Sequence, residues 1–265
     1  MGLVLENGIW KLQADAAGGG WEKVWYASAD SDWTGSSADW TGLDSKAING
    51  VTFTFERKAK WDTFGPDGSG NVRFKLVSTA NYGSGTTDAP VIYASVDDLL
   101  GSDSPDKDDF YIWRILLAAS SPDPANGNEG VGGGFRQSTS TTIAAPNDSG
   151  AIWMLISTRK IRTSINGGDY TATAPSGVRV LSSEVNTTHG VINRFSTSAA
   201  TTDPQEGTRC HTFQLQTSVR DVSPTPPDFD ITDSAASCYV SGWGASSGGT
   251  FLISDLEFWR LKGTV

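Results

Sequence analysis

The feature that most limits what this chain can fold into is a two-residue hydrophobic period that recurs in short runs broken by glycine, serine and proline. Val51, Phe53 and Phe55 alternate with Thr52, Thr54 and Glu56. Val72, Phe74 and Leu76 alternate with Arg73, Lys75 and Val77, while His211, Phe213, Leu215 and Val219 share a side against Thr212, Gln214, Gln216 and Ser218. A period of two puts alternate side chains on opposite faces, so each run reads as an antiparallel strand with one buried and one solvated side. The denser runs Phe110 to Ala119 and Ala151 to Ile161 carry apolar residues on both faces and are predicted as central strands, with a helix as the alternative for the first. Asn166-Gly167-Gly168 lies between two alternating segments and predicts a hairpin, because Asn and Gly tolerate the positive φ of a tight turn. A single helical turn is expected at Ser95 to Leu100, where Ser95 caps, Asp98 follows three residues later and Gly101 ends it.

Loops are expected at Gly18 to Gly20, Asp30 to Ser45, Gly65 to Gly70, Ser120 to Gly134, Ala199 to Gly207 and Ser223 to Asp228. Strand-like segments continue from Leu3 to Leu261 without βαβ alternation. The expected architecture is one all-β antiparallel sandwich over residues 1–265, with long loops and little helix.

Charge and composition narrow the function classes. Twenty Lys plus Arg against thirty Asp plus Glu leave a net charge of -10, which repels a phosphate backbone, so nucleic acid is not an expected partner. The longest purely apolar stretches, Ile115 to Ala119 and Ile152 to Ile156, fall far short of the roughly 18 residues of a membrane span, and no membrane insertion is expected. Met1-Gly-Leu-Val-Leu-Glu has neither a basic nor a long apolar region, so no secretory leader is expected. Cys210 and Cys238 read as two reduced thiols, with a single disulfide between them as the alternative.

The segment Gly249-Thr-Phe-Leu-Ile-Ser-Asp-Leu-Glu-Phe-Trp-Arg-Leu-Lys262 resembles the terminal strand of concanavalin A-like and laminin G-like jelly rolls, with alternating apolar residues around an Ile-x-Asp-Leu core. That family hosts lectins, glucanases, adhesion modules and phage virion proteins, so the resemblance implies binding of carbohydrate or protein. The low-charge, Gly/Ser/Thr-rich β character also resembles bacteriophage capsid, fibre and tail components, which are made in the host cytoplasm and work in the virion. The implied role is a non-enzymatic structural or adhesion component, homo-oligomeric, with other virion proteins and host-surface glycans as partners. A lectin-like module and an atypical glycoside hydrolase or lyase are the alternatives.

Catalytic signatures are missing where that family would carry them. A glucanase of this kind needs carboxylates at alternate positions of one strand, usually as Glu-x-Asp-x-Glu. None of the seven glutamates has Asp two residues later. Gly244-Ala-Ser246-Ser-Gly248 matches a nucleophile-elbow string, but His189 and His211 both precede it, so the usual order of Ser, acid and His cannot be assembled. Gly130-Val-Gly132-Gly-Gly134 lacks the Lys-Ser/Thr of a phosphate loop. No catalytic residue is therefore assigned. Asp228, Asp230 and Asp233 are a candidate calcium site, because Ca²⁺ takes carboxylate and loop carbonyl oxygens, with ordinary Asx turns as the bland reading.

Ten tryptophans stand out. Trp33 and Trp40 sit in a doubled Asp-Trp-Thr-Gly within a polar loop, and Trp243 lies between Gly242 and Gly244. All three are expected at a ligand or subunit interface, since aromatics bury large areas at small entropic cost. For Trp33 and Trp40 the alternative is a loop that folds back so that the indoles cover the end of the sandwich.

Overall fold

The structure is a computed structural model and describes residues 2–6, 9–13, 20–28, 39–56, 61–76, 91–123, 129–137, 151–157, 160–165, 168–187, 190–199, 203–213, 229–244 and 250–263. Two antiparallel sheets form a sandwich. The first runs from edge to edge through β13 (Gly168–Thr173), β12 (Lys160–Ile165), β11 (Ala151–Ser157), β10 (Glu129–Gln137), β17 (Ala236–Gly244), β8 (Val91–Ser95), β5 (Val51–Glu56) and β4 (Ser45–Ile48). The second runs through β16 (Thr208–Phe213), β15 (Gly190–Ser196), β14 (Val180–Asn186), β9 (Phe110–Leu117), β18 (Thr250–Leu261), β7 (Val72–Leu76) and β6 (Trp61–Pro66). β3 (Glu22–Ser28) pairs with the second half of β18. β1 (Gly2–Glu6) and β2 (Ile9–Gln13) form a separate two-stranded sheet.

The alternation of β5 is visible in its burial: Val51, Phe53 and Phe55 are buried while Thr52 is exposed. From the second sheet, Trp25, Trp113 and Phe258 meet Phe53, Phe135 and Ile92 of the first in one apolar core. The Trp113 indole also donates to the Tyr239 backbone oxygen across the two layers, at 3.1 Å. The helical turn α1 (Val96–Leu100) follows β8; Ser95 Oγ accepts from Asp98 N at 3.0 Å, and Gly101 ends the turn with φ 68°.

β12 and β13 pair as expected for a hairpin with a two-residue connection, Ile165 standing opposite Gly168. The Phe110 run is a strand buried along its whole length. Two expectations fail. The run Ala151 to Ile161 is not one strand, because the chain reverses between β11 and β12. Residues 130–134, expected in a loop, lie inside β10, a central strand. Glycine disfavours strand interiors on entropic grounds, yet here it is required. A β-carbon at Gly133 would come 2.7 Å from Ile115 Cδ1 and 2.1 Å from the Tyr239 backbone oxygen. Both Cys210 and Cys238 are free thiols, on strands of different sheets; burial pushes the first up to about 12 and the second well above the ordinary thiol range.

Candidate functional site on the glycine-floored sheet

Gly133 faces Ile115 and Phe135 packs in the core, so strand alternation turns Gly130, Gly132, Gly134 and Arg136 to the outer face of the first sheet. Register extends that face across the neighbouring strands, because directly opposed residues share a side. Gly134 stands opposite Tyr239, which stands opposite Tyr93, and Tyr93 opposite Thr54. Gly132 leads likewise through Ser241 and Val91 to Glu56. Arg136 leads to Ser237 and Ser95. The middle of this face is thus floored by residues without side chains and bordered by phenols, hydroxyls and one ion pair.

That pair is Arg136 and Glu56, with Nη2 to Oε1 at 3.5 Å. The Arg136 guanidinium carbon lies 4.1 Å from the centre of the Tyr93 ring, an attraction between cation and π-face that strengthens when water is excluded. Burial, with the Glu56 carboxylate beside it, raises the Tyr93 hydroxyl above the ordinary phenol range. Arg136 is 3% exposed, and neither its Nε nor its Nη1 has a hydrogen-bond acceptor. Ser237 Oγ, directly across the strand pair, is also buried and unpartnered. A buried donor left without an acceptor costs about 1–3 kcal/mol. The face therefore holds unspent donor capacity where a ligand oxygen would recover it.

Of the three candidate tryptophans, Trp40 departs from the expectation. Trp40 is not an interface residue: it is 6% exposed within the chain, stacked 6.2 Å from Phe55 and edge-on 5.4 Å from Phe64. The Asp39 carboxylate accepts from Thr41 N at 2.9 Å, and Trp40 N donates to the Phe64 oxygen at 2.6 Å. This turn folds the segment back onto β6, as in the bland alternative. Trp33 lies outside the described residues. Trp243, expected where no continuous strand could hold it, is the eighth position of β17 and stands opposite Gly130.

The acidic candidates are turn residues. Asp230 Oδ1 accepts from Thr232 N at 2.9 Å and Thr232 Oγ1 at 2.7 Å. Asp233 accepts from Ala235 N and from Gln137 Nε2, both at 2.8 Å, and these bonds lower its carboxyl below the usual range. Gln137 Oε1 in turn accepts from Asp230 N at 2.6 Å, so the segment binds the start of β17 to the end of β10, beside Arg136. Asp228 lies outside the described residues, and among the described residues no three His, Cys, Asp or Glu side chains are grouped to hold a metal.

Two buried ion pairs on the second sheet gave no signal in the sequence. Glu257 accepts from Arg114 at 2.8 Å, Lys23 at 2.6 Å and the Trp259 indole at 2.9 Å. Glu184 pairs with Arg194 and accepts from Gln205 Nε2 at 3.1 and 3.2 Å. Each carboxylate is paired with its own arginine, so neither charge is left buried alone. Arg136, Glu56 and Tyr93 were likewise missed. Their residue types are ordinary, and only strand register brings positions so far apart in the chain together.

No protein-family model and no curated protein matches the chain. Among solved structures it is similar to a protein of unknown function from Shewanella oneidensis MR-1, at 13% identity and a TM-score of 0.47, over 96% of this chain and 92% of that one. It is similar to an endo-1,3-beta-glucanase from Streptomyces sioyaensis, at 12% identity and a TM-score of 0.46, over 94% and 100% of the two chains. A third likeness is to the CBM2 module of the evolved Dit of Lactobacillus casei BL23 phage J-1, at 10% identity and a TM-score of 0.43, over 93% and 98%. At TM-scores below 0.5 these likenesses carry no argument about the ligand or activity of this chain.

Proposed function

We propose that the chain is a non-catalytic module that binds a glycan on the outer face of the glycine-floored sheet, serving as a structural or adhesion component of a bacteriophage virion. One observation carries the binding reading: the buried Arg136 guanidinium, fixed by Glu56 and Tyr93, keeps two nitrogens without acceptors beside a floor of glycines. Vicinal sugar hydroxyls answer that arrangement, since one oxygen can accept from Arg136 while a neighbouring hydroxyl donates to Glu56. Tyr93, half-buried, offers the edge of an aromatic ring beside the Arg136 guanidinium. The virion setting rests on the low-charge, Gly/Ser/Thr-rich β character of the chain.

The test is a glycan array followed by calorimetry on the best ligand. The double variant Glu56→Gln, Arg136→Met removes both charges together, so neither is left buried alone. It is expected to melt near the wild type and to bind at least about ten-fold more weakly, a loss of about 1.4 kcal/mol. Unchanged affinity would overturn the site. Release of reducing or unsaturated sugar from the bound polysaccharide would overturn the non-catalytic reading. Failure to co-assemble with any capsid or tail protein would overturn the virion setting.

A further inference from the structure

Where β13 and β15 end and β16 begins, a cavity of about 530 Å³ opens at the edge of the sandwich. Ligand pockets commonly have volumes of roughly 300–1,000 Å³. Its lining includes Phe195, Glu206 and the hydroxyls of Thr173, Ser196, Thr197 and Thr208. We infer that this cavity is a second saccharide subsite, selective for uncharged sugar rings. The inference rests on the glycan-binding reading but uses a different set of residues.

One wall is held in place before any ligand arrives. The turn from Asp203 to Gly207 is closed by Asp203, whose Oδ1 accepts from Gln205 N at 2.8 Å and whose backbone oxygen accepts from Glu206 N at 3.1 Å. Gln205 then reaches the carboxylate of Glu184, which the buried Arg194 neutralises. Gly207 has φ +131°, and a β-carbon there would lie 2.7 Å from the Phe195 oxygen; this close approach sets Glu206 and Thr208 against Phe195. On the floor, Ser196 O accepts from Arg179 N at 2.8 Å, and Ser196 Oγ accepts from Ser198 N at 3.1 Å. A wall tied to a buried ion pair does not have to be ordered on binding, which lowers the entropic cost of association.

The lining selects the ligand class. Hydroxyls both donate and accept, the Glu206 carboxylate accepts only, and the Phe195 ring supplies apolar surface. Among the described residues the lining has no Lys or Arg, so an anionic sugar would bring its charge to Glu206 with none of these to offset it. A neutral ring meets the carboxylate with hydroxyl donors.

The experiment is a chemical-shift titration of the full chain with glucose, galactose, mannose and N-acetylglucosamine, with glucuronate as the charged control. At least one neutral sugar is expected to shift the amides of Ser196, Thr197, Gly207 and Thr208, while glucuronate leaves them in place. Glu206→Ala should weaken that response about ten-fold, the scale of one lost charge-assisted hydrogen bond. Thr197→Trp, which fills the cavity, should abolish it. Both variants should keep any response at Gly132, Gly134 and Tyr239. No cavity shift with any neutral sugar, or an equal shift with glucuronate, overturns the subsite. Shifts at the cavity with none on the sheet face would sustain the subsite and overturn the sheet-face site.

Discussion

Trp40 shows how one carboxylate decides the fate of a neighbouring side chain. Asp39 caps the Thr41 amide, the chain turns, and the indole enters a cluster with Phe55 and Phe64. Removing such a ring leaves a cavity that its neighbours fill only partly, so Trp40→Ala is expected to destabilise the fold by about 3–5 kcal/mol. Denaturant melts of the purified variant measure this. A variant that melts like the wild type but loses assembly or binding would return Trp40 to an interface. Gly133 is the converse case, a residue whose value lies in having no side chain. The close approach of Ile115 and the Tyr239 backbone oxygen leaves no room for one.

At the scale of elements, the hairpin between β6 and β7 is closed by a single carboxylate. Asp67 Oδ1 accepts from Ser69 N at 2.7 Å and Asn71 N at 3.0 Å, and Oδ2 accepts from Asn71 Nδ2 at 3.1 Å. Partial burial pushes its carboxyl upward, but the Asn71 and Ser69 hydrogen bonds outweigh that and leave it below the usual range. A group depressed in the folded state stabilises fully above its unfolded value, about 3.9 for Asp, and loses that contribution as pH falls through the folded value. Asp67→Asn is therefore expected to be less stable than wild type at pH 7, with the gap closing below about pH 4. Thermal melts at pH 7 and pH 2.5 decide it: an equal gap at both would show that the charge plays no part. The turn tolerates this geometry because Gly68 and Gly70 take positive φ, at 79° and 85°.

Over the whole molecule, β18 is the organising strand. It pairs with β9 along nearly its full length, with β7 at its start and with β3 at its end. The sheets then meet through aromatic packing, Trp25 lying 5.3 Å from Phe53 of β5 and the Trp113 indole bonded to the backbone of β17. That bond joins the second sheet to the strand that borders the glycine floor. Trp113→Phe removes the indole N–H and part of its area, and is expected to cost about 1–3 kcal/mol. Hydrogen exchange would report the change as lost protection in β17 as well as β9. Loss confined to β9 would show that the bond does not couple the layers.

The period-two pattern, the turn between Ile165 and Gly168 and the capped turn at Ser95 were legible from residues alone, because each depends on neighbours a few positions apart. The placement of β10 was not, since glycine disfavours a strand by its own propensity and occupies one here only because Ile115 and Tyr239 come too close for any side chain. The same holds for the candidate site. Glu56, Tyr93 and Arg136 are unremarkable as residue types, and register alone sets them on one face. Local chemistry determined which segments became strands; non-local pairing decided which of their side chains met, because contacts between distant segments carry no periodic trace in either one.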